Sequence, residues 1–420
     1  METSNDGSRL LRRRHALDYR GRTGWSTGVL IGALLAIAIA TLAPGDPEGT
    51  TGGFACVFCG DRALADFLIN VILYMPLGVG LAMSGVRLSR IVLAGVLLSS
   101  SIEAVQVILP GRDASVGDVI ANTLGTGLGA LIVFASPRWL RPSRLTSNLF
   151  CLSASALAVA TLALTGYLLG PSLPTGAYSV IWTPAEEGRP RYGGAVVRAA
   201  IGDISLRPAR VEETDSIRAI LAGGARMEAR IVVGPPPPKS TALVLVRDDL
   251  MRKILALGVD RHDFVVSYRT RAADFQLDQP DVRWVAAMDD LMVGDTTTVR
   301  IWGRRSQPCM ALGTRQRCGF GFTVGSGWTL LFYAESFPNW LKLGLTGAWV
   351  AGLLLPVGFW FRRDARSVAA LVIVGVGLAV IPASTELVTT LWWEWIAAVV
   401  GVVLGLLLRR AAVSDQGSIR

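Results

Sequence analysis

Apolar segments of membrane-spanning length are the feature that most constrains this sequence. A helix needs about 20 mostly apolar residues to cross a bilayer core. Such segments recur at residues 25–43, 65–83, 91–109, 116–135, 149–170, 341–361, 367–381 and 392–408. The 420 residues are 51% hydrophobic and only 17% charged, which is too apolar for a soluble protein of this length. The sequence predicts a polytopic α-helical membrane protein with about eight transmembrane helices.

Clusters of arginine predict the orientation of these helices. They lie before the first span and after the second, fourth, sixth and eighth spans, at residues 9–22, 87–90, 138–144, 362–366 and 409–410. Basic segments mark the cytoplasmic side, so we expect a bacterial inner-membrane protein with both termini in the cytoplasm, the basic segment 1–24 and the tail 411–420. The first span could also be read as a cleaved signal peptide, although its length favours an uncleaved helix. Because the net charge of +9 resides largely in these clusters, we expect no nucleic-acid binding.

Residues 171–335 change character and predict an inserted domain outside the cytoplasm. Short β-branched or alternating runs occur at 242–246, 264–268, 282–286, 297–302 and 328–332, separated by Gly, Pro and Asp turns. This rhythm is typical of an antiparallel all-β sandwich. In an oxidising compartment Cys309 and Cys318 are expected to form a disulfide that closes a hairpin, the alternative being two free buried cysteines.

An internal repeat relates the helices on either side of this domain. Residues 73–78 correspond to 353–358, 101–105 to 384–388 and 118–121 to 394–397, while Gly125 and Gly129 fall opposite Gly401 and Gly405. Unless this is a coincidence among Leu-, Val- and Gly-rich helices, the chain contains two four-helix halves related by a parallel repeat. We place the domains at 25–170 (five helices, including the one that leads into the β domain), 171–335 and 336–410.

A group of polar residues in the third and fourth spans is the candidate functional site. Glu103 and Gln106 share one helix face, Asp118 and Asn122 share another, and Arg112 lies in the connection between the two helices. Ionisable residues inside a membrane span are costly and need an explanation. Arg112 could pair with Glu103 or Asp118, or it could bind a phosphate or carboxylate. A structural clamp and a ligand site both remain open.

Other chemistry-bearing residues give weaker signals. Cys56 and Cys59 form a Cys-x-x-Cys motif, which could be a structural disulfide, a redox pair or half of a zinc site. With two histidines in the chain, a zinc site or a Ser/His/Asp triad is poorly supplied, and no cofactor or metal is expected. Asp-rich turns at 248–249 and 289–290 would allow calcium in the β domain. Trp182, Trp284, Trp302 and Trp328 are candidates for stacking on a sugar, although most are expected in the core.

The run from Asn70 through residues 74–78, residues 101–106 and 110–112, and the helix start from Asp118 to Gly125 resembles the VanZ-like family. The resemblance covers roughly residues 28–135. The second half is similar in outline and lacks counterparts of Gln106, Arg112 and Asn122, whereas Glu386 and Glu394 remain. The β domain resembles a concanavalin A-like, laminin-G-type sandwich in its rhythm around residues 263–264 and 275–277. The first resemblance implies a bacterial envelope protein, in a family linked to low-level resistance to glycopeptides such as teicoplanin.

Two functions are therefore open. The first is a non-enzymatic envelope protein that binds an envelope glycan or a lipid-linked anionic ligand at the outer leaflet. The second is a membrane-embedded enzyme or transporter for a polyprenyl-phosphate substrate, with Glu103 or Asp118 as general base. In a third reading the β domain is purely architectural.

Overall fold

The structure is a computed structural model of the chain. It describes residues 6–44, 57–58, 60–112, 114–185, 191–224, 226–303, 308–335, 337–385 and 387–414. By their contacts the residues form two compact units, Met1–Pro142 and Ser143–Arg420.

Helices make up the first unit and both ends of the second. The helices of the described residues are α1 (Asp6–Leu42), α2 (Ala63–Met83), α3 (Leu88–Gln106), α4 (Val116–Phe134), α5 (Ser136–Leu140), α6 (Arg144–Leu169), α7 (Thr214–Gly223), α8 (Asn339–Trp360), α9 (Ala365–Thr385) and α10 (Trp392–Ser414). In this part of the chain eight of them, all except α5 and α7, are long and apolar enough to cross a membrane. The predicted number of transmembrane helices is confirmed.

In the first unit α2 packs against α4, α3 packs against α4, and α1 packs against α2. The α2–α4 contact is close because Gly125 and Gly129 face the backbone of α2. A Cβ atom on either glycine would overlap a carbonyl oxygen, that of Val71 or that of Met75. Small residues four apart allow two membrane helices to approach to backbone contact.

The second unit repeats the close contact between its second and fourth long helices, α8 and α10. Its third helix, α9, packs against α6 and, within the described residues, not against α10 as α3 packs against α4. A Cβ atom on Gly401 or Gly405 of α10 would overlap a carbonyl oxygen of α8, that of Ala351 or that of Leu355. Helix α6 packs against α8 and α9. The sequence grouped α6 with the first four spans, whereas its contacts place it with the last three, so each unit contains four long helices.

The β domain lies between α6 and α8 in the chain. Its strands are β1 (Tyr178–Trp182), β2 (Ala195–Ile201), β3 (Ile204–Ser205), β4 (Ala209–Arg210), β5 (Met227–Val232), β6 (Thr241–Asp248), β7 (Lys253–Asp260), β8 (Asp263–Tyr268), β9 (Val282–Trp284), β10 (Thr296–Trp302), β11 (Cys309–Leu312) and β12 (Arg315–Cys318). Sheet A has the order β4-β1-β6-β7-β8-β9, and sheet B has the order β12-β11-β10-β5-β2-β3. All of the strand pairs are antiparallel. The predicted inserted β domain is confirmed.

The two sheets differ in what they present outward. A shared apolar core contains Tyr178, Phe264, Ile231, Val299 and Leu257, each almost fully buried. In sheet A the strands β6 and β7 are buried along nearly their whole length, so both faces are covered. In sheet B, β5 and β10 alternate between buried and exposed residues, so one face is open to solvent.

The prediction of a strand at 328–332 was wrong. A 3₁₀ helix spans Val324–Leu330, and a shorter one spans Arg271–Phe275. A reciprocal capping box between Thr323 and Ser326 starts the longer helix. This segment packs against α6 and α8 instead of joining a sheet, and the indole Nε1 of Trp328 donates to Thr346 Oγ1 of α8 at 2.9 Å.

Candidate functional site

The predicted polar residues lie where α3 ends and α4 begins. Glu103, in the last turn of α3, is only 3% exposed. One of its carboxylate oxygens accepts the backbone N–H of Ser115 at 2.7 Å, and the Ser115 side chain in turn caps α4 by accepting the N–H of Gly117. Backbone N–H groups at a helix start have no partner inside the helix, so Glu103 stabilises the start of α4 as well as burying a charge.

Asp118, in the first turn of α4, is partly buried and accepts the side-chain amide of Asn70 at 2.6 Å. Because Asn70 belongs to α2, this hydrogen bond joins two helices at the same level as Glu103. Asn70 was part of the sequence resemblance but was not predicted as a site residue.

Arg112 does not pair with Glu103 or Asp118, which was one of the two roles that the sequence left open for it. Its guanidinium Nε donates to the carbonyl oxygen of Ala43 at 2.8 Å, and its Nη2 donates to that of Ala40 at 2.9 Å. The last carbonyl groups of a helix lack partners within the helix and carry its partial negative charge, so they attract a cation. Arg112 therefore closes the C-terminal end of α1.

Gln106 also donates a hydrogen bond to the C-terminal end of α1. Its side-chain N–H donates to the carbonyl oxygen of Thr41 at 2.9 Å, while its Oε1 atom is buried and has no hydrogen-bond partner among the described residues. Gln106 thus ties α3 to α1 and leaves an acceptor unused.

Further polar side chains fill the interior next to Glu103. Asn122 is 1% exposed, and its Nδ2 donates to Ser99 Oγ at 2.8 Å. Tyr74 of α2 is fully buried, and its hydroxyl lies near Ser99, Glu103 and Asp118 without a hydrogen bond to any of them. Tyr74 and Ser99 were not predicted as site residues. Their signal was spacing, because Ser99 lies one helical turn before Glu103 and Tyr74 one turn after Asn70. The polar cluster comprises Tyr74, Ser99, Glu103, Gln106, Asp118 and Asn122.

The polar cluster is incompletely hydrogen-bonded. The hydroxyl of Tyr74, Oε1 of Gln106 and Oδ1 of Asn122 are buried without a partner in the described structure, as is the neighbouring hydroxyl of Thr123. Each such group costs about 1–3 kcal/mol relative to a paired one. Native proteins keep few of them, and three of these four belong to the polar cluster, while the described helices of the second unit contain such atoms at Ser155 Oγ and Trp349 Nε1.

The second unit repeats the glycine-mediated helix pair, α8 with α10, without this polar interior. The repeat places Leu354 opposite Tyr74 and Ala398 opposite Asn122, and both are buried. The prolines at the matching places, Pro76 and Pro356, lie inside α2 and α8. The close α8–α10 pair therefore forms with apolar residues at these two positions, although the second unit does not reproduce, within its described residues, the α3–α4 contact across which the polar cluster lies.

Glu394, the predicted counterpart in the second unit, is fully buried and well bonded. Its Oε2 accepts the backbone N–H of Leu391 at 2.8 Å, and its Oε1 accepts the hydroxyl of Thr323. Thr323 stands directly before the 3₁₀ helix at Val324–Leu330, so the β domain supplies the partner of this carboxylate. Glu386, Cys56 and Cys59, which we also predicted as functional or disulfide-bonded residues, lie outside the described residues.

The remaining predicted residues lie in the β domain. Cys309 and Cys318 form a disulfide between β11 and β12. The carboxylates of the two Asp-rich turns face cationic partners: Asp248 bonds Arg252 at 2.6 Å and Asp290 bonds Arg315 at 2.6 Å. No cluster of three or more His, Cys, Asp or Glu side chains suited to a metal occurs in the described part of the chain.

The four tryptophans divide into two pairs. Trp284 and Trp328 are each 9% exposed and belong to packed interiors, whereas Trp182 and Trp302 are partly exposed. Only the second pair can contact a ligand without rearrangement.

Comparison with known families agrees with the first resemblance. The family model described as VanZ/LLP1 matches residues 46–139, a segment that contains the whole polar cluster. This match shows a VanZ-like domain in that part of the chain. No curated protein and no solved structure matches the chain.

Proposed function

We propose that the first unit is a non-enzymatic binding module of the bacterial cell envelope, whose polar cluster binds the hydroxyl-bearing headgroup of a lipid-linked envelope glycan. One observation carries this proposal. Four buried polar atoms of the first unit lack hydrogen-bond partners among the described residues, while Leu354 and Ala398 stand at the positions of the second unit that match Tyr74 and Asn122. A ligand that pairs with these atoms recovers the free energy that their burial costs.

The chemistry of the cluster selects the part of the ligand that is bound. The unpaired atoms of Gln106 and Asn122 are acceptors, and the cluster also contains the carboxylates of Glu103 and Asp118. Sugar hydroxyl groups donate well to such a set. Because the guanidinium of Arg112 already donates to the carbonyl oxygens of α1, we do not assign it to the phosphate of a lipid-linked ligand. The polar cluster would therefore bind the sugar and not the phosphate.

The predicted orientation supports the position of this site. The arginine clusters predict that the end of α3 and the start of α4 lie at the outer boundary of the membrane, where the headgroup of a lipid in the outer leaflet lies. The VanZ/LLP1 match covers the same residues, and the family is linked to glycopeptide antibiotics. We extend that link to this protein as a contribution to low-level teicoplanin resistance.

The test uses Tyr74→Phe, which removes one unpaired hydroxyl. Because that hydroxyl has no partner, we expect the variant to unfold at the same or a slightly higher temperature than the wild type. A polyprenyl-linked amino sugar should raise the unfolding temperature of the wild type in detergent and raise that of the variant less. In a susceptible host, matched membrane levels of the variant should confer less protection against teicoplanin.

Two results would count against the proposal: an equal thermal shift for Tyr74→Phe and wild type, or no shift for either protein. Glu103→Gln distinguishes the alternative of an enzyme, because it keeps the shape of the side chain but removes a general base. A binder keeps part of its function in this variant, whereas an enzyme loses turnover completely.

A further inference from the structure

The open face of sheet B carries a set of arginine side chains in its centre. Alternation along the strands directs Arg198 of β2, Arg230 of β5 and Arg300 of β10 to the same solvent face, and all three are exposed. Arg226, just before β5, borders the same surface and is also exposed. These are neighbouring strands of one sheet, so the guanidinium groups form one surface.

Two of these arginines face each other directly. In the β2–β5 register Arg198 is opposite Arg230, and in the β5–β10 register Arg230 is opposite Thr298. Side chains directly opposite in an antiparallel pair have their Cβ atoms about 5 Å apart, and like charges there are unfavourable. Neither arginine has a hydrogen bond or ion pair with a described residue. An anion bound between them would convert this repulsion into attraction.

In the adjacent row of residues across the sheet, part of the positive charge is neutralised by a carboxylate. Arg300 lies opposite Glu228, and the two form an ion pair at 2.8 Å. The other positions of this row, Ala200 and Ala311, are small. Short side chains between long arginines leave an open groove of about 1150 Å³.

The groove combines charge with one aromatic side chain. Four arginines and only two carboxylates, those of Glu228 and Asp203, line it, together with the partly exposed Trp302 at the end of β10. Arginine binds carboxylate and phosphate in a bidentate manner, and the face of an indole packs on the apolar face of a sugar ring. Two residues along a strand span about 7 Å, and neighbouring strands are about 5 Å apart, which suits several anions along a chain rather than one isolated anion.

Sheet A shows that such a face is not required by the sandwich. Its strands β6 and β7 carry apolar side chains that are covered on both faces. Of the four arginines that line the groove, Arg300 alone forms an ion pair with a described residue, Glu228. Their clustering therefore indicates a binding surface.

We propose that the groove on sheet B binds a linear anionic polysaccharide, with Arg198 and Arg230 holding its charged groups and Trp302 stacking on a sugar ring. This inference does not depend on the proposed function of the first unit, since every residue in it belongs to the β domain.

The experiment uses the full chain in nanodiscs of zwitterionic lipid. Binding of an oligogalacturonate, which carries one carboxylate per sugar, is measured by calorimetry beside its methyl ester, which has the same sugars without the charge. The test variant is Arg198→Gln with Arg230→Gln. The matched control is Arg207→Gln with Arg261→Gln, which removes the same charge from exposed positions of the β domain outside the groove.

We expect the wild type to bind the acid and not the ester. The test variant should bind about a hundredfold more weakly at an unchanged unfolding temperature, because each charge-assisted hydrogen bond contributes a factor of about ten or more. The control should stay within about twofold of the wild type, since distant surface charges are screened by salt. Trp302→Ala should weaken binding without changing its dependence on salt concentration.

Three outcomes would overturn the proposal. In the first, the test variant binds as the wild type does. In the second, the control variant loses as much affinity as the test variant. In the third, vesicles containing phosphatidylglycerol are recruited but the oligogalacturonate is not bound, which would assign the groove to a lipid surface. Tyr74→Phe serves as a cross-check: it should leave oligogalacturonate binding unchanged, so failure here and failure of the function proposed for the first unit are distinguishable.

Discussion

A single methyl group on Gly125 should separate α2 from α4. A Cβ atom at this position would overlap the carbonyl oxygen of Val71, and the carbonyl carbon and Cα atom of the same residue lie 2.9 Å and 3.0 Å from it. All of these atoms belong to the backbone, so no side-chain rotation relieves the overlap. Gly127, two residues further along α4, is the matched control, because its added Cβ would meet only Val92 Cγ2 at 3.8 Å.

The magnitudes follow from two opposing effects. Replacing Gly by Ala inside a helix stabilises it by about 0.5–1 kcal/mol, and Gly127→Ala receives this gain alone. Gly125→Ala must also move one helix by roughly 1 Å, and overpacking of this kind costs about 1–3 kcal/mol. The two variants should therefore differ by about 1–3 kcal/mol in the free energy of unfolding, with Gly125→Ala the less stable.

The assay is equilibrium unfolding of the full chain in mixed micelles, followed by circular dichroism. The repeat supplies a second, independent comparison, in which Gly401→Ala should destabilise the protein and Gly352→Ala should not, because a Cβ at Gly352 would meet nothing within 4 Å. Equal midpoints for Gly125→Ala and Gly127→Ala would refute the view that glycine–backbone contacts hold α2 against α4.

Two further perturbations test other parts of the second unit. The side chain of Arg283 is 8% exposed and forms an ion pair with Asp260 at 2.6 Å, and the carboxylates of Asp281 and Glu335 are also within 4 Å. Arg283→Ala should destabilise the β domain by about 3–5 kcal/mol, because it leaves buried carboxylates unpaired. Thermal unfolding of the full chain measures this loss; no change in midpoint would show that the network is dispensable. Asp364 accepts the backbone N–H of Ser367 and the amide of Asn148, and these hydrogen bonds hold the pKa of its carboxyl below the usual range. A carboxyl with a depressed pKa contributes stability above its unfolded pKa of about 3.9 and loses it as the pH falls through the folded pKa. The difference in unfolding midpoint between wild type and Asp364→Asn should thus be present at pH 7 and shrink below about pH 4; a constant difference would contradict this assignment.

The sequence predicted the membrane helices well because each span is recognised by hydrophobicity summed over about 20 residues. Each span is an apolar run close to bilayer thickness, and errors at individual residues leave the total unchanged. The repeat was predicted from glycines and prolines, which act through the backbone and therefore keep their position: Gly125 with Gly401, and Pro76 with Pro356.

Polar partners were predicted less well, since they depend on groups that sequence patterns do not show. An ion pair with Glu103 or Asp118 was one of the two roles left open for Arg112, because charge is visible in a sequence. Its observed partners are backbone carbonyl groups at the end of α1. Every helix ends in such carbonyl groups, so the residue types in the sequence do not reveal them. The prediction of a strand at 328–332 was wrong for a related reason. The apolar residues of this segment pack against membrane helices and not into the sandwich core.

The two units differ in the polar contacts at the start of their fourth long helix, α4 in the first unit and α10 in the second, and the proposed function rests on this difference. In the second unit Glu394 is bonded by Thr323, whose chain neighbour begins the 3₁₀ helix that packs on α8. A ligand could reach that carboxylate only by displacing the hydroxyl and the helix after it. In the first unit one carboxylate oxygen of Glu103 accepts the backbone N–H of Ser115, and one of Asp118 accepts the side-chain amide of Asn70. The hydroxyl of Tyr74 and Oδ1 of Asn122 lie beside them and have no hydrogen-bond partner among the described residues. The second unit thus completes the start of α10 with a residue of its own β domain, whereas the unpaired atoms beside Glu103 and Asp118 are the feature on which the proposed binding rests.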